Sequence, residues 1–348
     1  MTRFIQLHLL VSYPPSNLNR DDLGRPKTAK VGGFDRLRVS SQSLKRAWRT
    51  SEVFQAALAG HIGTRTKRLG QQAAETLVAA GIKESDAKDW ASKIAAVFGK
   101  PKKENVLENE TLIHVSPEEL ATLDRLLSQL VAEHREPTTE ELDGLLHVQH
   151  AVDIAMFGRM IADKPEWNGD AAIQVAHALG VHASAIEDDY FTAVDDLNAG
   201  RDETGAGHVG EAGFAAAVFY EYVCIDRDQL LQNLGGDEEL VQRTLRALVE
   251  TALTVGPTGK QNSFASRAYV HYALAEKGTQ QPRSLSLAFL KPVDDKQAGY
   301  GEAATRALRR ICDNMDTVYG PCADVRNELD VLAAKGSKSA LVEFVAGT

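Results

Sequence analysis

Between Arg36 and Thr50 the chain changes its hydrophobic period within a few residues. Arg36, Leu37, Arg38 and Val39 alternate polar and apolar, the period of a half-buried strand. Ser40 and Ser41 follow, and their hydroxyls suit the start of a helix. Leu44, Ala47 and Trp48, continued by Val53 and Phe54, then share one helical face. Gln42, Lys45, Arg46 and Arg49 fall at offsets 0, 3, 4 and 7 and share another. A strand that runs directly into a cationic helix predicts a mixed fold of sheet and helices.

The charge of this segment is as uneven as its period. Residues 1–50 hold ten Lys and Arg against three Asp, a net +7, in a chain of net −9, so residues 51–348 carry −16. Basic runs often do no more than cover a solvated face. A short segment opposed in sign to its own protein, however, is also the electrostatic footprint of a phosphate-backbone binder. Here the run includes a helix start with two serines, unpaired backbone N–H groups and three cations. Amides and macrodipole attract phosphate there, and the side chains neutralise it.

Elsewhere the chain mixes strands and helices without regular βαβ repetition or a 20–50-residue repeat. Phe4 to Tyr13 sets Ile5, Leu7, Leu9 and Val11 against Phe4, Gln6, His8 and Leu10 and reads as a first, central strand. Pro14 to Gly33 reads as a long loop of turn formers, and long loops often carry function. From about 59 to 149 Ala, Glu, Lys and Leu dominate, punctuated by Gly81, Pro101 and Pro137, which predicts a helical insertion without strands. Beyond it Val218 to Ile225 alternates as a strand, Asp226 caps a helix over Gln229–Leu234, and Gly235–Gly236 stop it. Leu240–Leu253 is a strongly amphipathic helix; Ala268–Leu274 and Ser284–Leu290 read as strands, and Ala303–Cys312 as a late helix.

Several chemistries find no support. Cys224, Cys312 and Cys322 form no C-x-x-C pair, so neither a disulfide framework nor a zinc ribbon is indicated, and a reducing cytoplasm is the simplest home. The N-terminus has no signal-peptide architecture, and no apolar stretch approaches the roughly 20 residues of a membrane span. His177, His182 and His208 are too irregularly spaced for a metal site, and His8 reads as a satisfied sheet residue. Asp195–Asp196 would face opposite ways in a strand, with no third carboxylate to join them. The loop G-P-T-G-K-Q-N (Gly256–Asn262) lacks P-loop spacing and follows a helix, which argues against nucleotide hydrolysis. Lys260 and its glycines fit either a loop laid against RNA or a plain helix-ending turn.

Five segments resemble one family in particular. L-N-R-D-D (Leu18–Asp22), G-G-F-D-R-L-R-V-S-S-Q-S-L-K-R-A-W-R (Gly32–Arg49), G-R-M (Gly158–Met160), Y-F-T-A-V-D-D-L (Tyr190–Leu197) and Q-N-L-G-G (Gln232–Gly236) are similar, in this order, to the CasC-type backbone subunit of the type I-E CRISPR Cascade surveillance complex, of the RAMP superfamily. The S-S-Q-S-L-K-R-A block is the most specific of them. The resemblance implies an α+β fold: a modified RRM-like (ferredoxin-like) antiparallel palm in segments 1–58, 150–186 and 213–348, helical fingers over 59–149 and an irregular thumb over 187–212. It implies a non-catalytic, cytoplasmic RNA-binding protein of antiviral defence, without cofactor or metal. Its partners would be CRISPR RNA, further copies of itself along the guide spacer, other Cascade subunits, and the target DNA strand through guide pairing.

Residue by residue, the resemblance assigns RNA-backbone contacts to Arg20, Ser40, Gln42, Lys45 and Arg49, beside Arg46 of the same helix. Met160, which would otherwise read as core, becomes a wedge between bases, with Thr192 and Val209 as thumb-side partners from a neighbouring copy. The family's fingers can carry a lysine cluster for duplex DNA, whereas Glu133–Leu145 here is acidic; Arg65, Lys67 and Arg68 could serve instead. The other functional class is a metal-dependent endoribonuclease of the RAMP type, with Asp21, Asp22 or Asp35 in the loop after the first strand.

Overall fold

Phe4–Ser16 form the first strand, β1, in which every residue from Ile5 to Val11 is buried. A strand packed on one face would alternate; this one is covered on both, as a central strand must be. The computed structural model describes residues 2–146, 151–161, 164–193, 208–294, 297 and 299–347. Their contacts divide the chain into two compact units: Met1–Phe54, Gln174–Ile225 and Leu245–Thr348 in one, Gln55–Ile173 and Asp226–Thr244 in the other.

After β1 come β2 (Thr28–Val31), β3 (Phe34–Val39), α1 (Ser41–Arg49) and α2 (Glu52–Ala57). Next are β4 (Thr64–Thr66), α3 (Leu69–Ala79), α4 (Glu84–Phe98), β5 (Ile113–Val115), α5 (Pro117–Glu133), α6 (Thr139–Asp143) and α7 (Val152–Phe157). The chain then forms β6 (Ile173–Val175), β7 (Ala178–Gly180), β8 (Glu187–Ala193), β9 (His208–Asp226), α8 (Arg227–Asn233), α9 (Glu238–Thr254) and α10 (Gln261–Phe264). It ends with β10 (Val270–Gly278), α11 (Tyr300–Tyr319), β11 (Val325–Asp330) and α12 (Lys338–Ala346).

β11, β10, β1, β9, β7, β3 and β2 lie in that order in one nine-stranded sheet, with β6 and β8 also paired to β9. β10 is antiparallel to β1 and to β11, β3 to β2 and to β7, and β9 to β7 and to β8. The architecture is therefore α+β with a large antiparallel sheet. Along β1, Leu10 joins Val218, Tyr220, Tyr272 and Leu274 in a core that includes Ala304, Leu308 and Cys312 of α11. In the other unit, α3, α4 and α5 enclose a core of their own around Leu77, Trp90, Ile94, Phe98, Leu127 and Leu130.

On the α11 side of the sheet lies a buried polar network. His8 is fully buried, its Nδ1 2.9 Å from the Tyr220 hydroxyl and its Nε2 3.1 Å from Glu276 Oε2. Glu276 is also fully buried and accepts from Arg283 and Arg326. Burial opposes its charge, but the hydrogen bonds from His8 and Arg283 outweigh that and hold its carboxyl well below the ordinary glutamate range. Desolvation keeps His8 neutral by lowering its pKa. The opposite face contains a charge-bearing group without such support. Glu221 is 3 % exposed in line with Phe219, Val223 and Ile225, and its carboxyl has no hydrogen-bond partner among the described residues. Burial pushes it up to about 8, so the acid is neutral at pH 7.

Several sequence expectations need correction. Pro14–Gly33 is not one loop: β1 runs on to Ser16, and Thr28–Val31 pair with Phe34–Leu37 as a hairpin closed by Gly32 and Gly33, both at positive φ. The helix after Ser40 stops at Arg49, and Val53 lies exposed in a separate short helix. Ser284–Leu290 is not a strand but a 3₁₀ turn over Ser286–Phe289; Leu285 and Phe289 are buried while Leu287 and Leu290 face outward, a spacing of four rather than two. The helical insertion contains a small two-stranded sheet of β4 and β5. Arg36, counted in the basic footprint, is fully buried, donating to the Gly180 and Phe289 carbonyls (2.9 Å each). Asp195–Asp196 and thumb glycines 200, 205 and 207 lie outside the described residues.

Candidate nucleic-acid interface

Asp21 makes the turn after β1. Its Oδ1 accepts from the backbone N–H groups of Leu23 (3.0 Å) and Arg25 (2.9 Å), an Asx-type turn that brings Arg20 opposite Pro26. Asn17, 1 % exposed, donates from Nδ2 to the Gly24 carbonyl and to the Gly213 carbonyl of β9, 2.9 Å each. The turn and the base of the β8–β9 hairpin are thus tied to one buried amide, and Arg25 adds a 2.8 Å ion pair to Asp188 of β8. Next in sequence, Asn19 Oδ1 accepts from Ser40 N (2.9 Å), which fastens the turn to the start of α1.

Ser40 is the N-cap of α1, as its position predicts, with Ser43 N donating to its hydroxyl at 3.4 Å. The helix start is less open than expected, however. Ser41 N donates to His177 Nδ1 (3.1 Å), and burial together with Arg38 and Lys27 lowers the His177 pKa, keeping the ring neutral. With the Ser41 and Ser43 amides engaged, α1 offers an anion its flank more than its tip. Ser43, Arg46, Ala47 and Thr50 form that flank, and with Leu18, Asn19, Arg20 and Asp21 they line a cavity of about 410 Å³. Arg20 and Arg46 are both exposed.

The far wall is the loop after α9, through Thr258 and Gly259. A Cβ at Gly259 would stand 2.2 Å from the Leu18 carbonyl oxygen, and one at Gly256 would stand 2.3 Å from the Tyr13 hydroxyl. These glycines therefore serve close packing against the end of β1. Lys260 follows in the left-handed region (φ 50°), exposed beside the cavity. One site thus joins the L-N-R-D-D turn, the basic helix and the glycine loop. Two guanidiniums, three hydroxyls and an amide surround it, beside the Asp21 carboxylate engaged in its own turn, a set whose donors suit phosphate oxygens.

A family model described as CT1975-like protein matches residues 5–342. The chain belongs to the CT1975-like protein family. Among solved structures, a chain of a "CRISPR RNA-guided surveillance complex, pre-nicking" is 28% identical with a TM-score of 0.83, covering 99% of this chain and 99% of that one. A second, from a "CRISPR RNA-guided surveillance complex", is 23% identical with a TM-score of 0.74, covering 99% and 100%, and shares the fold. No curated protein matches.

In this CT1975-like chain the other sequence-designated residues are distributed as follows. Gln42 is exposed, Lys45 is half-buried and Arg49 is buried, and none of the three lines the cavity. Met160 is 81 % exposed, which removes the reading of it as a core residue. Thr192 and Val209 stand directly opposite each other in the β8–β9 pair, Val209 half-exposed. In the acidic stretch Glu133–Leu145, Arg135 pairs with Glu133 and, through both terminal nitrogens, with Glu141, which also caps α6 through Thr138. Lys67 Nζ donates to the Glu110 carbonyl (2.7 Å), and Arg65 Nε to His114 Nδ1 (3.4 Å). Of the described residues, no three His, Cys, Asp or Glu come together as a metal site, and no helix is long and apolar enough to cross a membrane.

The residues that sequence reasoning missed are Ser43, Thr50 and Thr258. The first two were within reach: positions 43, 46 and 50 share a helical face.

Proposed function

We propose that this chain is a non-catalytic backbone subunit of a type I-E Cascade complex. It binds CRISPR RNA, repeats along the guide spacer beside other subunits, and displays the bases for pairing with a target DNA strand. The observation that carries this reading is the cavity between Arg20, Arg46 and the 256–260 loop. Such donors grip phosphate and read no bases, which suits a holder of variable guides whose sequence is read by base pairing. Asp21, one of the three aspartates of the endoribonuclease reading, is committed to closing its own turn, while Asp22 and Asp35 are exposed.

Protein purified from its native host, examined by light scattering with RNA extraction, is expected as a large particle holding one discrete RNA of repeat-spacer length. An RNA-free monomer that also fails to bind added CRISPR RNA overturns the reading. Met160 supplies a second expectation. A wedge between bases costs a few kcal/mol of unstacking that its removal returns, so Met160→Gly leaves affinity within about tenfold. The periodic pattern of nucleotide reactivity along the bound RNA should flatten; an unchanged pattern removes the wedge role.

A further inference from the structure

Thr258 faces two hollows. On one side is the Arg20–Arg46 cavity; on the other is a pocket of about 530 Å³ walled by residues 254–258, Gln261 and residues 266–269. That volume lies within the roughly 300–1,000 Å³ of ordinary small-ligand sites. Three side chains of this second pocket lack any use within the described fold. Tyr269 is 71 % exposed just before β10. Arg267 is exposed; its backbone N–H donates to the Ala265 carbonyl, and its guanidinium makes no hydrogen bond or ion pair among the described residues. Ser266 is 1 % exposed, and its hydroxyl has no hydrogen-bond partner among the described residues. A buried hydroxyl without a partner costs about 1–3 kcal/mol, which a donor or acceptor brought into the pocket would recover.

We propose that this pocket is a subsite for one unstacked base of single-stranded RNA whose backbone runs through the neighbouring cavity. An exposed aromatic ring beside a free guanidinium is the usual stacking platform for single-stranded nucleic acid. The base lies on Tyr269, Arg267 meets the adjoining phosphate, and the base edge reaches Ser266 and Gln261. Both of these can donate and accept, so any base edge finds complementary partners. The pocket therefore holds a nucleotide without selecting its identity. This inference rests on the RNA-binding reading above and adds a base contact to a site otherwise limited to the backbone.

The test uses the full chain and single-stranded oligouridine carrying one 5-iodouridine, with photocross-linking, peptide mapping and affinity titration. A cross-link on Tyr269 is expected. Tyr269→Ala should weaken binding roughly 5- to 150-fold without changing the salt slope, and Tyr269→Phe should restore it. Tyr269 lies outside the core, so neither variant threatens the fold. RNA that binds wild type and Tyr269→Ala equally, with no cross-link in residues 266–269, overturns the subsite and leaves the cavity reading intact. Wild type that binds no RNA overturns both. A change of particle size without RNA, and no cross-link, would assign the pocket to contact between copies and also overturn the proposal.

Discussion

Replacing Arg20 and Arg46 together by glutamate is expected to lower affinity for single-stranded RNA at least a hundredfold while leaving the fold intact. Both side chains are exposed and line the same cavity, so the change removes charge without opening the core. A hydrogen bond to a charged group contributes about 1.5–3 kcal/mol, and two such losses exceed a hundredfold before any repulsion by the new carboxylates. Losing two phosphate contacts should also flatten the salt dependence by about 1.4 units of slope, at roughly 0.7 per contact for a single strand. Anisotropy titrations at several salt concentrations measure both quantities. Unchanged affinity with an unchanged slope would show that the phosphate path runs elsewhere. Arg49 is a poorer choice for the same experiment, because it is buried and its reversal would disturb packing as well as charge.

Between pH 6.5 and 8.5 Glu221 by itself is expected to withdraw about 2 kcal/mol of stability, read as the difference between wild type and Glu221→Gln. The Glu221 carboxyl sits near 8 in the folded chain and near 4.3 when unfolded, so between these values the folded state binds the extra proton. Stability from this group is therefore lost as pH rises, and it is fully lost above 8. His8 and Glu276 act in the opposite direction. Both are lowered on folding, as are His177, His182 and His271, so these contributions fade as pH falls through the ordinary histidine and glutamate ranges respectively. The acid side of the stability optimum thus belongs to Glu276 and these histidines and the alkaline side to Glu221. Urea unfolding at the two pH values checks the prediction. A wild type and a Glu221→Gln variant that change equally between the two pH values would mean that Glu221 finds a partner on ionising.

The local features of the site were legible because they are written in neighbouring residues. The change of period at Arg36–Trp48 and the serine cap need no tertiary information, and both appear as β3, Ser40 and α1. The β2–β3 hairpin could also have been read: Gly32–Gly33 between short β-like runs is a two-residue turn signal, obscured by the surrounding Pro, Asn and Asp. Other features depend on distant parts of the chain. Counting cations cannot distinguish Arg36, whose donors meet carbonyls more than a hundred residues away, from Arg20, which faces solvent. The glycines of the 256–260 loop suggested room for a phosphate, whereas their lack of a side chain admits Leu18 and Tyr13. The 3₁₀ turn at Ser286–Phe289 was missed because six residues cannot decide between a spacing of two and one of four.

Asn17 gives the molecule a mechanical linkage. One buried amide holds the turn that carries Arg20 and the foot of the β8–β9 hairpin at the same time. Neither part can pivot without breaking a hydrogen bond or dragging the other along, so the two behave as arms of a single lever with Asn17 as its pin. Displacement applied at the hairpin therefore arrives at the Arg20 turn as motion rather than being absorbed by slack in the loop. In a chain of such subunits the spacing between successive grips would be machined into the protein, and the RNA would conform to it.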